Sequence, residues 1–348
     1  MSYTNKIRLL LSSAEAISRE QDTDRLLLML SDLARDLLGV DRCSLFLIDR
    51  ERGELWTRVA HGVEEIRVSA DSGIVGWVAR EGKSAIVKDA YKDPRFNPEV
   101  DTATGYRTHN LIAIPLFDRN GNVLGVFQAV NKLEGEPGDE DVELFTLLGG
   151  YASSALENST MQRKVKEAYR EAVMRLSHAA EYKDPETYNH IIRVGLFARL
   201  IAEKLGLEEE VCENITLAAP MHDIGKIGIP DAILLKKGKL EEWEWEVMKR
   251  HTVIGYEILK DSSSELLQMA ALIALDHHER WDGTGYPNRK RGEEISLWGR
   301  ITSIVDVFDA LLSKRPYKEP WSLDRTVEYI ISLKGKHFDP TLVDIVQS

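Results

Sequence analysis

Histidines and carboxylates with the spacing of metal ligands are concentrated in the second half of the sequence. Glu186 and His190 are four residues apart, so on a helix they share one face and can hold one ion. His222 and Asp223 are adjacent; on a helix they diverge by about 100°, which suits one side chain per metal, or a carboxylate that bridges two. Further candidates lie on other segments with helical periodicity: His251, His277, His278 and Asp306.

The residue types narrow the chemistry. Asp306 lies in the apolar stretch 304–308, where an unpaired carboxylate would be costly. Five histidines and three carboxylates on successive helical segments are hard to explain in an all-α domain unless they bind metal. Mixed imidazole and carboxylate ligands suit iron, manganese, zinc or nickel, whereas calcium takes oxygen ligands and a structural zinc site would contain cysteines.

The elements that carry these residues are helical. Strand signals vanish beyond residue 175, and an all-α domain is expected there. The predicted helices span about 190–205, 209–226, 240–260, 264–279, 295–313 and 322–334.

In the first half of the sequence, the apolar residues recur with a different period. Helices are predicted at 1–20 and at 22–38, the second ending at Gly39. Asn120-Gly121 between two apolar runs is a strong hairpin signal, because both turn positions favour positive φ. We therefore expect an α+β domain with an antiparallel sheet and helices at its ends. Its predicted strands are 41–49, 53–60, 85–88, 111–117 and 122–130, with a short helix at 73–81.

A long helical pattern joins the two halves. Apolar residues alternate in steps of three and four, interrupted by Asn158 and Gln162, which predicts a helix of about 35 residues with a coiled-coil-like seam. A parallel dimer through this helix is favoured, because the seam runs through the domain boundary; the alternative is a helix that packs only on its own domains. The seam comprises Leu144, Leu148, Tyr151, Ala155, Val165, Tyr169, Ala172, Leu176 and Ala179.

The bulk composition sets limits on partners and location. A chain of 348 residues suggests about two domains, and 43% hydrophobic with 29% charged residues is ordinary for globular protein. The net charge of −12 argues against nucleic-acid binding. No apolar run approaches the ~18 residues of a membrane span. Cys43 and Cys212 lie far apart, so we expect a reducing, cytoplasmic location rather than a disulfide framework.

Four motifs of the second half occur in a recognisable order. They are EYKDPETYNHIIRV at 181–194, HDIGK at 222–226, HHERWDGTGYP at 277–287 and DVFDALLSKRPYK at 306–318. In order and spacing they closely resemble the HD-GYP family, the bacterial cyclic di-GMP phosphodiesterases of the HD superfamily. The resemblance covers about 175–348. It implies hydrolysis of cyclic di-GMP to pGpG and onward to GMP.

The resemblance also implies a metal set. Glu186 and His190 would hold a third ion, as in family members with a Glu at that place. The expected cofactors are two or three divalent ions, iron or manganese, which activate water and neutralise charge at the phosphate. Two ions would be held, with Asp223 bridging them, by His222, Asp223, His251, His277, His278 and Asp306.

Other residues are assigned roles around the reacting phosphate. Asp223 and Lys226 are catalytic candidates; Lys226, about one helical turn beyond Asp223, is expected to steady a phosphate. Asp184 is expected to orient a water or a ligand; its alternative role is to cap a helix before Pro185. Asp309 is interpreted as a hydrogen-bonding residue of helix packing rather than as a ligand.

Substrate binding is predicted in two segments. The loop Gly285-Tyr286-Pro287 is expected to form part of the substrate site and a surface for partner proteins, its alternative being a structural turn. Arg315 and Lys318 are expected to bind phosphate or guanine. Cyclic di-GMP is thus the predicted ligand.

The first half resembles a GAF sensor domain, from about 20 to 157. The resemblance rests on DRCSLFLID at 41–49, SGIVGWVAREGKSAIVKDAYKDPRF at 72–96, and a hairpin that ends in AVNK. Asn131 and Lys132 are interpreted as the ordinary end of a GAF strand, because the downstream segment lacks the Phe that precedes the acidic pair in cyclic-nucleotide-binding GAF domains. The GAF ligand stays unknown.

We therefore predict a GAF sensor at 1–157, a signalling helix at 158–180 and an HD-GYP phosphohydrolase domain at 181–348, in a homodimer. Two alternatives remain. One is an HD phosphohydrolase that acts on another cyclic dinucleotide. The other is a metal-bound cyclic di-GMP receptor that signals through its GYP surface.

Overall fold

The computed structural model describes residues 22–57, 66–181, 188–313 and 319–347, together with several positions between 9 and 20. The chain separates into two compact units, Met1–Glu167 and Ala168–Ser348. The predicted helix at 1–20 falls mostly outside the described residues, as does the end of the predicted strand at 53–60. None of the described helices is both long and apolar enough to cross a membrane.

The first unit is built on a six-stranded antiparallel sheet. Helix α1 (Thr23–Leu38) precedes it, beginning at Asp22, whose side chain accepts from the Arg25 amide, and ending at Gly39 with φ 62°. The sheet order is β3-β2-β1-β6-β5-β4. Its strands are β1 (Val40–Asp49), β2 (Glu54–Thr57), β3 (Ile66–Ser69), β4 (Ala85–Val87), β5 (Leu111–Phe117) and β6 (Val123–Lys132). The predicted α+β fold with an antiparallel sheet is confirmed.

Helices cover both faces of this sheet. Helices α2 (Gly73–Glu81) and α3 (Glu99–Thr104) follow β3 and β4 along the chain, and α4 (Asp139–Glu181) follows β6. The core on one face includes α1 and the first part of α4, which contributes Phe145 and Leu148. The core on the other face includes Ile74 and Val78 of α2. Apolar side chains that alternate along the strands supply both cores.

The β5–β6 hairpin differs from the prediction in its turn. Asn120 and Gly121 were expected to take positive φ together, but only Gly121 does, at 81°. The side chain of Asp118 accepts hydrogen bonds from the amides of Asn120 and Asn122, 2.9 and 2.8 Å long. This carboxylate stabilises a longer loop in place of the two-residue turn.

The second unit is helical, and its named elements within the described residues include no strand. Helix α4, 43 residues long, exceeds the predicted 35 and contributes its last part to this unit. The all-α prediction for this half is confirmed. The further helices are α5 (Tyr188–Lys204), α6 (Glu209–Ala218), α7 (Asp231–Leu234), α8 (Glu242–Lys249), α9 (His251–Leu259), α10 (Glu265–Asp276), α11 (Leu297–Leu312), α12 (Leu323–Ser332) and α13 (Pro340–Gln347).

Two predicted helices are interrupted, in both cases at candidate ligands. The prediction of one helix over 209–226 is wrong: α6 ends at Ala218, and two 3₁₀ turns, Ala219–Met221 and Ile224–Gly228, flank His222. Pro220 has no amide hydrogen and so cannot continue the α-helical ladder. The predicted helix over 240–260 is two helices that meet at Arg250, so His251 begins α9 instead of lying mid-helix.

Candidate metal centre

Seven of the predicted ligands form two clusters. Within each cluster, the candidate ligand atoms lie within 4.8 Å of one another. We call the first the Asp223 cluster: Asp223, His251, His277 and His278. We call the second the His190 cluster: His190, His222 and Asp306. The two 3₁₀ turns and the four helices α5, α9, α10 and α11 therefore converge on one place, as the spacing of these residues had suggested.

The Asp223 cluster is centred on one carboxylate oxygen. Nε2 of His251 lies 3.3 Å from Oδ1 of Asp223, and Nε2 of His277 lies 3.7 Å from the same oxygen. The two Nε2 atoms are 3.4 Å apart. The ring of His278 packs on that of His277, with centroids 4.0 Å apart.

The His190 cluster adjoins it. Nε2 of His190 lies 3.6 Å from Oδ1 of Asp306. Nε2 of His222 lies 3.3 Å from Oδ2 of Asp223, so the two oxygens of Asp223 face different clusters. This position suits a carboxylate that bridges two ions.

Backbone carbonyls orient three of the imidazoles. Nδ1 of His222 donates to the Ala219 carbonyl at 3.0 Å, and Nδ1 of His251 donates to the Met248 carbonyl at 2.8 Å. His277 Nδ1 bonds likewise to the Ala274 carbonyl at 3.0 Å. A carbonyl only accepts, so Nδ1 carries the proton and Nε2 offers its lone pair to the cluster. This arrangement is typical of histidines that bind metal.

A glycine allows the close approach of these elements. A Cβ on Gly225 would lie 1.9 Å from the His251 carbonyl oxygen and 2.5 Å from the Gly255 amide nitrogen. The turn Ile224–Gly228 therefore packs on α9 only because residue 225 has no side chain. That contact holds Asp223 against His251.

The protonation states suit a divalent ion. Burial alone would raise the pKa of Asp223, but Lys226 and His222 lower it well below its usual value. Burial lowers the pKa of His251 to about 4 and that of His278 well below its usual value. Near pH 7, Asp223 is therefore a carboxylate, and His251 and His278 are neutral imidazoles.

One buried atom shows directly that the residues fit a cation. Oδ1 of Asp223 is buried and has no hydrogen-bond donor among the residues that the structure describes. A buried carboxylate oxygen without a donor is costly unless a cation meets it. The same oxygen is the one that His251 and His277 face. Its surroundings therefore match the donor set of a divalent transition-metal ion.

A cavity of about 560 Å³ opens onto both clusters. Its wall includes Asp223, His251, His278 and Asp306. Lys226 also lines it, and its Nζ lies 2.7 Å from Oδ2 of Asp223. Aromatic side chains complete the wall: Trp245, Tyr286 and Tyr329.

The side chain of Glu279 anchors the loop that carries Gly285-Tyr286-Pro287. This buried carboxylate accepts from the amides of Asn288 and Lys290 at 2.7 and 3.1 Å. A Cβ on Gly285 would lie 2.4 Å from the Arg280 amide nitrogen, so the loop folds tightly on its own stem. The Tyr286 ring, 4.8 Å from that of His278, is thereby placed at the cavity.

Comparison with known proteins now identifies both units. Residues 174–342 match the family of HD domains, and residues 22–156 match that of GAF domains. The chain carries a GAF domain followed by an HD domain. The predicted order of an α+β GAF domain followed by a helical HD domain is thus confirmed, and the HD domain implies that divalent metal is bound.

Relatives of the HD domain are closely similar in sequence. The cyclic di-GMP phosphodiesterase response regulator RpfG of Xanthomonas campestris is 52% identical over 181 residues, covering 52% of this chain and 48% of that protein. A cyclic di-GMP phosphodiesterase of Thermotoga maritima is 50% identical, covering 49% and 46%. The 3′3′-cGAMP-specific phosphodiesterase 2 of Vibrio cholerae is 45% identical, covering 55% and 36%. The chain spans less than half the length of each of these relatives.

Four predicted residues of the HD domain lie outside the described residues. Asp184 and Glu186 fall in 182–187, and Arg315 and Lys318 fall in 314–318. Their roles remain predictions. Lys226 and Tyr286 line the 560 Å³ cavity, whereas Gly285 and Pro287 line a second cavity of about 670 Å³ that shares Tyr286 and Trp245 with it.

Beside the His190 cluster, sequence reasoning assigned Asp309 to hydrogen bonding but did not foresee its contact with a ligand, and it missed Arg193. Asp309, expected to make a packing hydrogen bond, accepts from Nδ1 of His190 at 2.7 Å. Arg193, which was not singled out, donates to Asp309 from Nε and Nη2. Burial raises the pKa of Asp309, but the hydrogen bonds from His190 and Arg193 lower it to about 2. The available signal was spacing, because Arg193 and Asp309 each lie three residues after a candidate ligand.

Proposed function

We propose that this protein is a metal-dependent phosphodiesterase that hydrolyses cyclic di-GMP to pGpG and onward to GMP. The observation that carries the proposal is the pair of His/Asp clusters on the wall of one 560 Å³ cavity. That volume is in the range of small-molecule sites, about 300–1,000 Å³. The printed activities of the similar proteins support the same reaction class.

The chain's own residues supply binding and orientation. Divalent ions bound here would activate water and neutralise charge that develops on the phosphate. Lys226, buried against Asp223, brings a cation to the cavity wall where a phosphate would lie. Tyr286 and Trp245 offer aromatic faces to a base. We assign phosphate or guanine contacts to Arg315 and Lys318, and the orientation of a water or ligand to Asp184.

Turnover tests this proposal directly. Protein purified without oxygen and loaded with iron or manganese should convert cyclic di-GMP to pGpG or GMP, and Asp223→Ala should abolish conversion. Asp339→Asn is the matched control, because it alters a buried Arg300–Asp339 pair of the same domain that touches neither cluster. Absence of turnover with every divalent metal, together with tight binding of cyclic di-GMP, would instead favour the receptor.

A second substrate is favoured by one specific observation. The 3′3′-cGAMP-specific relative is 45% identical, close to the values for the cyclic di-GMP enzymes. The discriminating measurement is kcat/KM for both dinucleotides on the same preparation. A higher value for 3′3′-cGAMP would reassign the substrate and leave the reaction unchanged.

The number of ions depends on Glu186. We propose that Glu186 and His190 hold a third ion, beside two ions held by His222, Asp223, His251, His277, His278 and Asp306. Metal analysis should then give three ions per chain, falling to two in Glu186→Ala. A count of two in the unmodified protein would refute the third site.

We further propose a homodimer through α4, with residues 158–180 as the signalling segment between sensor (1–157) and catalytic domain (181–348). Support comes from the predicted seam, because Val165 and Leu176 are 61% and 59% exposed and Tyr169 is 40% exposed, at heptad spacing. Light scattering should give twice the chain mass, and Val165→Glu with Leu176→Glu should give monomers. A monomeric unmodified protein at micromolar concentration would contradict this.

Regulation is assigned to the GAF domain, through a ligand that binds it and is not yet identified. A cavity of about 90 Å³ lies there, lined by Phe46, Val68, Ile74 and Val130 among others. It is smaller than the ~300 Å³ lower range of ligand pockets, so only a very small ligand fits without rearrangement. The Gly285-Tyr286-Pro287 loop is proposed as the surface for partner proteins.

A further inference from the structure

Among the four imidazoles whose Nδ1 contacts are described above, His190 is oriented differently. His222, His251 and His277 are oriented by backbone carbonyls. His190 bonds instead to a side chain, the carboxylate of Asp309. A backbone carbonyl is fixed by the fold, whereas a carboxylate must itself be held in place.

Arg193 holds that carboxylate. Its Nε donates to Oδ1 and its Nη2 to Oδ2 of Asp309, a bidentate contact. Ser313 donates to the same Oδ2 at 3.2 Å and accepts from Arg193 Nη2 at 2.8 Å. Asp309 is buried, with its side chain 2% exposed, while Arg193 is 36% exposed. The chain of contacts therefore runs from the protein surface to the ring of His190.

The electrostatics favour one tautomer of His190. The ionised carboxylate of Asp309 accepts hydrogen bonds from Arg193 and Ser313 and has no proton to donate. Its hydrogen bond with His190 is therefore donated by Nδ1, and this nitrogen carries the proton. Nε2 then faces Asp306, 3.6 Å away, as a lone-pair donor. Hydrogen bonding to a carboxylate also raises the basicity of an imidazole ligand.

We propose that Asp309, held by Arg193, is a positioning residue for His190, and that this pair controls metal occupancy of the His190 cluster more strongly than that of the Asp223 cluster. The histidines of the Asp223 cluster are oriented by other contacts. His251 and His277 bond to backbone carbonyls, and the ring of His278 packs on that of His277. The inference concerns metal binding alone and does not depend on the identity of the substrate.

Metal binding by the full chain tests this. Manganese is titrated into metal-free protein and followed by calorimetry, and bound metal is counted after gel filtration. Asp309→Asn should weaken one binding step about 10–100-fold, the range for loss of such a partner, and leave the remaining binding at its original affinity. Arg193→Met should weaken the same step to a smaller extent; Arg193 is partly exposed, so this variant tests the pair even if the first folds poorly.

Pairing with ligand variants identifies the cluster. Asp309→Asn combined with His190→Ala should bind no less manganese than His190→Ala alone, while Asp309→Asn combined with His278→Ala should weaken both steps. The Asp339→Asn variant controls for loss of a buried Arg–Asp pair in this domain. Unchanged manganese affinity in both Asp309→Asn and Arg193→Met would overturn the proposal. So would an equal weakening of every step, or the same weakening in Asp339→Asn.

Discussion

Two buried aspartates, one in each domain, differ in the hydrogen-bond donors that surround their carboxylates. Asp101 of the GAF domain accepts from the Tyr91 hydroxyl, the Thr108 amide and the Thr108 hydroxyl, at 2.7 to 3.0 Å. Asp223 of the HD domain has one oxygen paired with Lys226 and one that has no donor among the described residues. Both residues are buried.

The difference separates a structural carboxylate from a functional one. A carboxylate whose oxygens all receive protein donors stabilises the fold, because its charge is already solvated by the chain. A carboxylate with an oxygen facing imidazole nitrogens leaves room for an external cation. Burial alone would not have distinguished the two.

The largest effect is expected for Asp223→Asn. The amide loses the charge that both clusters share, so turnover should fall by more than ~1,000-fold and bound metal should drop. The substitution also replaces the charged partner of Lys226 at Oδ2 with an amide, so the free energy of unfolding of the metal-free protein should fall as well. Turnover, metal content and urea denaturation are measured on the same preparation. Full metal content with full turnover would show that Asp223 is not the bridging group.

Metal removal should act on one domain only. Ions that bind the folded HD domain at 1,000 times their Kd stabilise it by about 4 kcal/mol, and a chelator should remove that stabilisation. Hydrogen exchange followed by mass spectrometry should then show faster exchange in α9 and α10 and unchanged exchange in β1 and β6. Equal acceleration in the GAF strands would contradict a metal site confined to the HD domain.

The sequence predicted much of the fold because periodicity is a local property. Strands β1, β5 and β6 and helices α1, α2, α5 and α11 begin and end within a few residues of prediction. The interruptions at Pro220 and Arg250 were missed because the apolar pattern continues through both. The residue types of the candidate metal ligands could be predicted for the same reason, since each ligand lies within a local sequence motif.

What could not be predicted are contacts between distant segments. The bond from Arg193 to Asp309 joins residues 116 positions apart, and nothing in either motif requires it. The approach of Gly225 to His251 likewise depends on how α9 packs on the preceding turn. Such contacts decide which imidazole nitrogen faces the ion, and only the folded arrangement supplies them.

A smaller effect, on stability, is expected for Asp101→Asn. The amide cannot accept at both positions, so one of the three donors is left buried without a partner, at a cost of about 1–3 kcal/mol to the GAF domain. Denaturant unfolding of the variant measures this cost, and turnover by the HD domain is assayed beside it. Asp71→Asn, whose side chain is 88% exposed, is the matched control and should be neutral. Loss of metal from Asp101→Asn with no loss of stability would break the contrast with Asp223.

The smallest expected effect is on the pH dependence of unfolding. Burial lowers the pKa of His337, in the HD domain, to about 4. The unfolded chain binds this proton near pH 6.5, so between pH 6.5 and 4 the unfolded state holds more protons and stability falls as the pH falls. The contribution is about 1–2 kcal/mol, because the ring is only partly buried. His337→Gln should flatten the pH dependence of unfolding in metal-free protein, whereas His109→Gln, at an exposed position of the GAF domain, should leave it unchanged. Identical slopes in all three proteins would show that this imidazole is not protected from protonation by the fold.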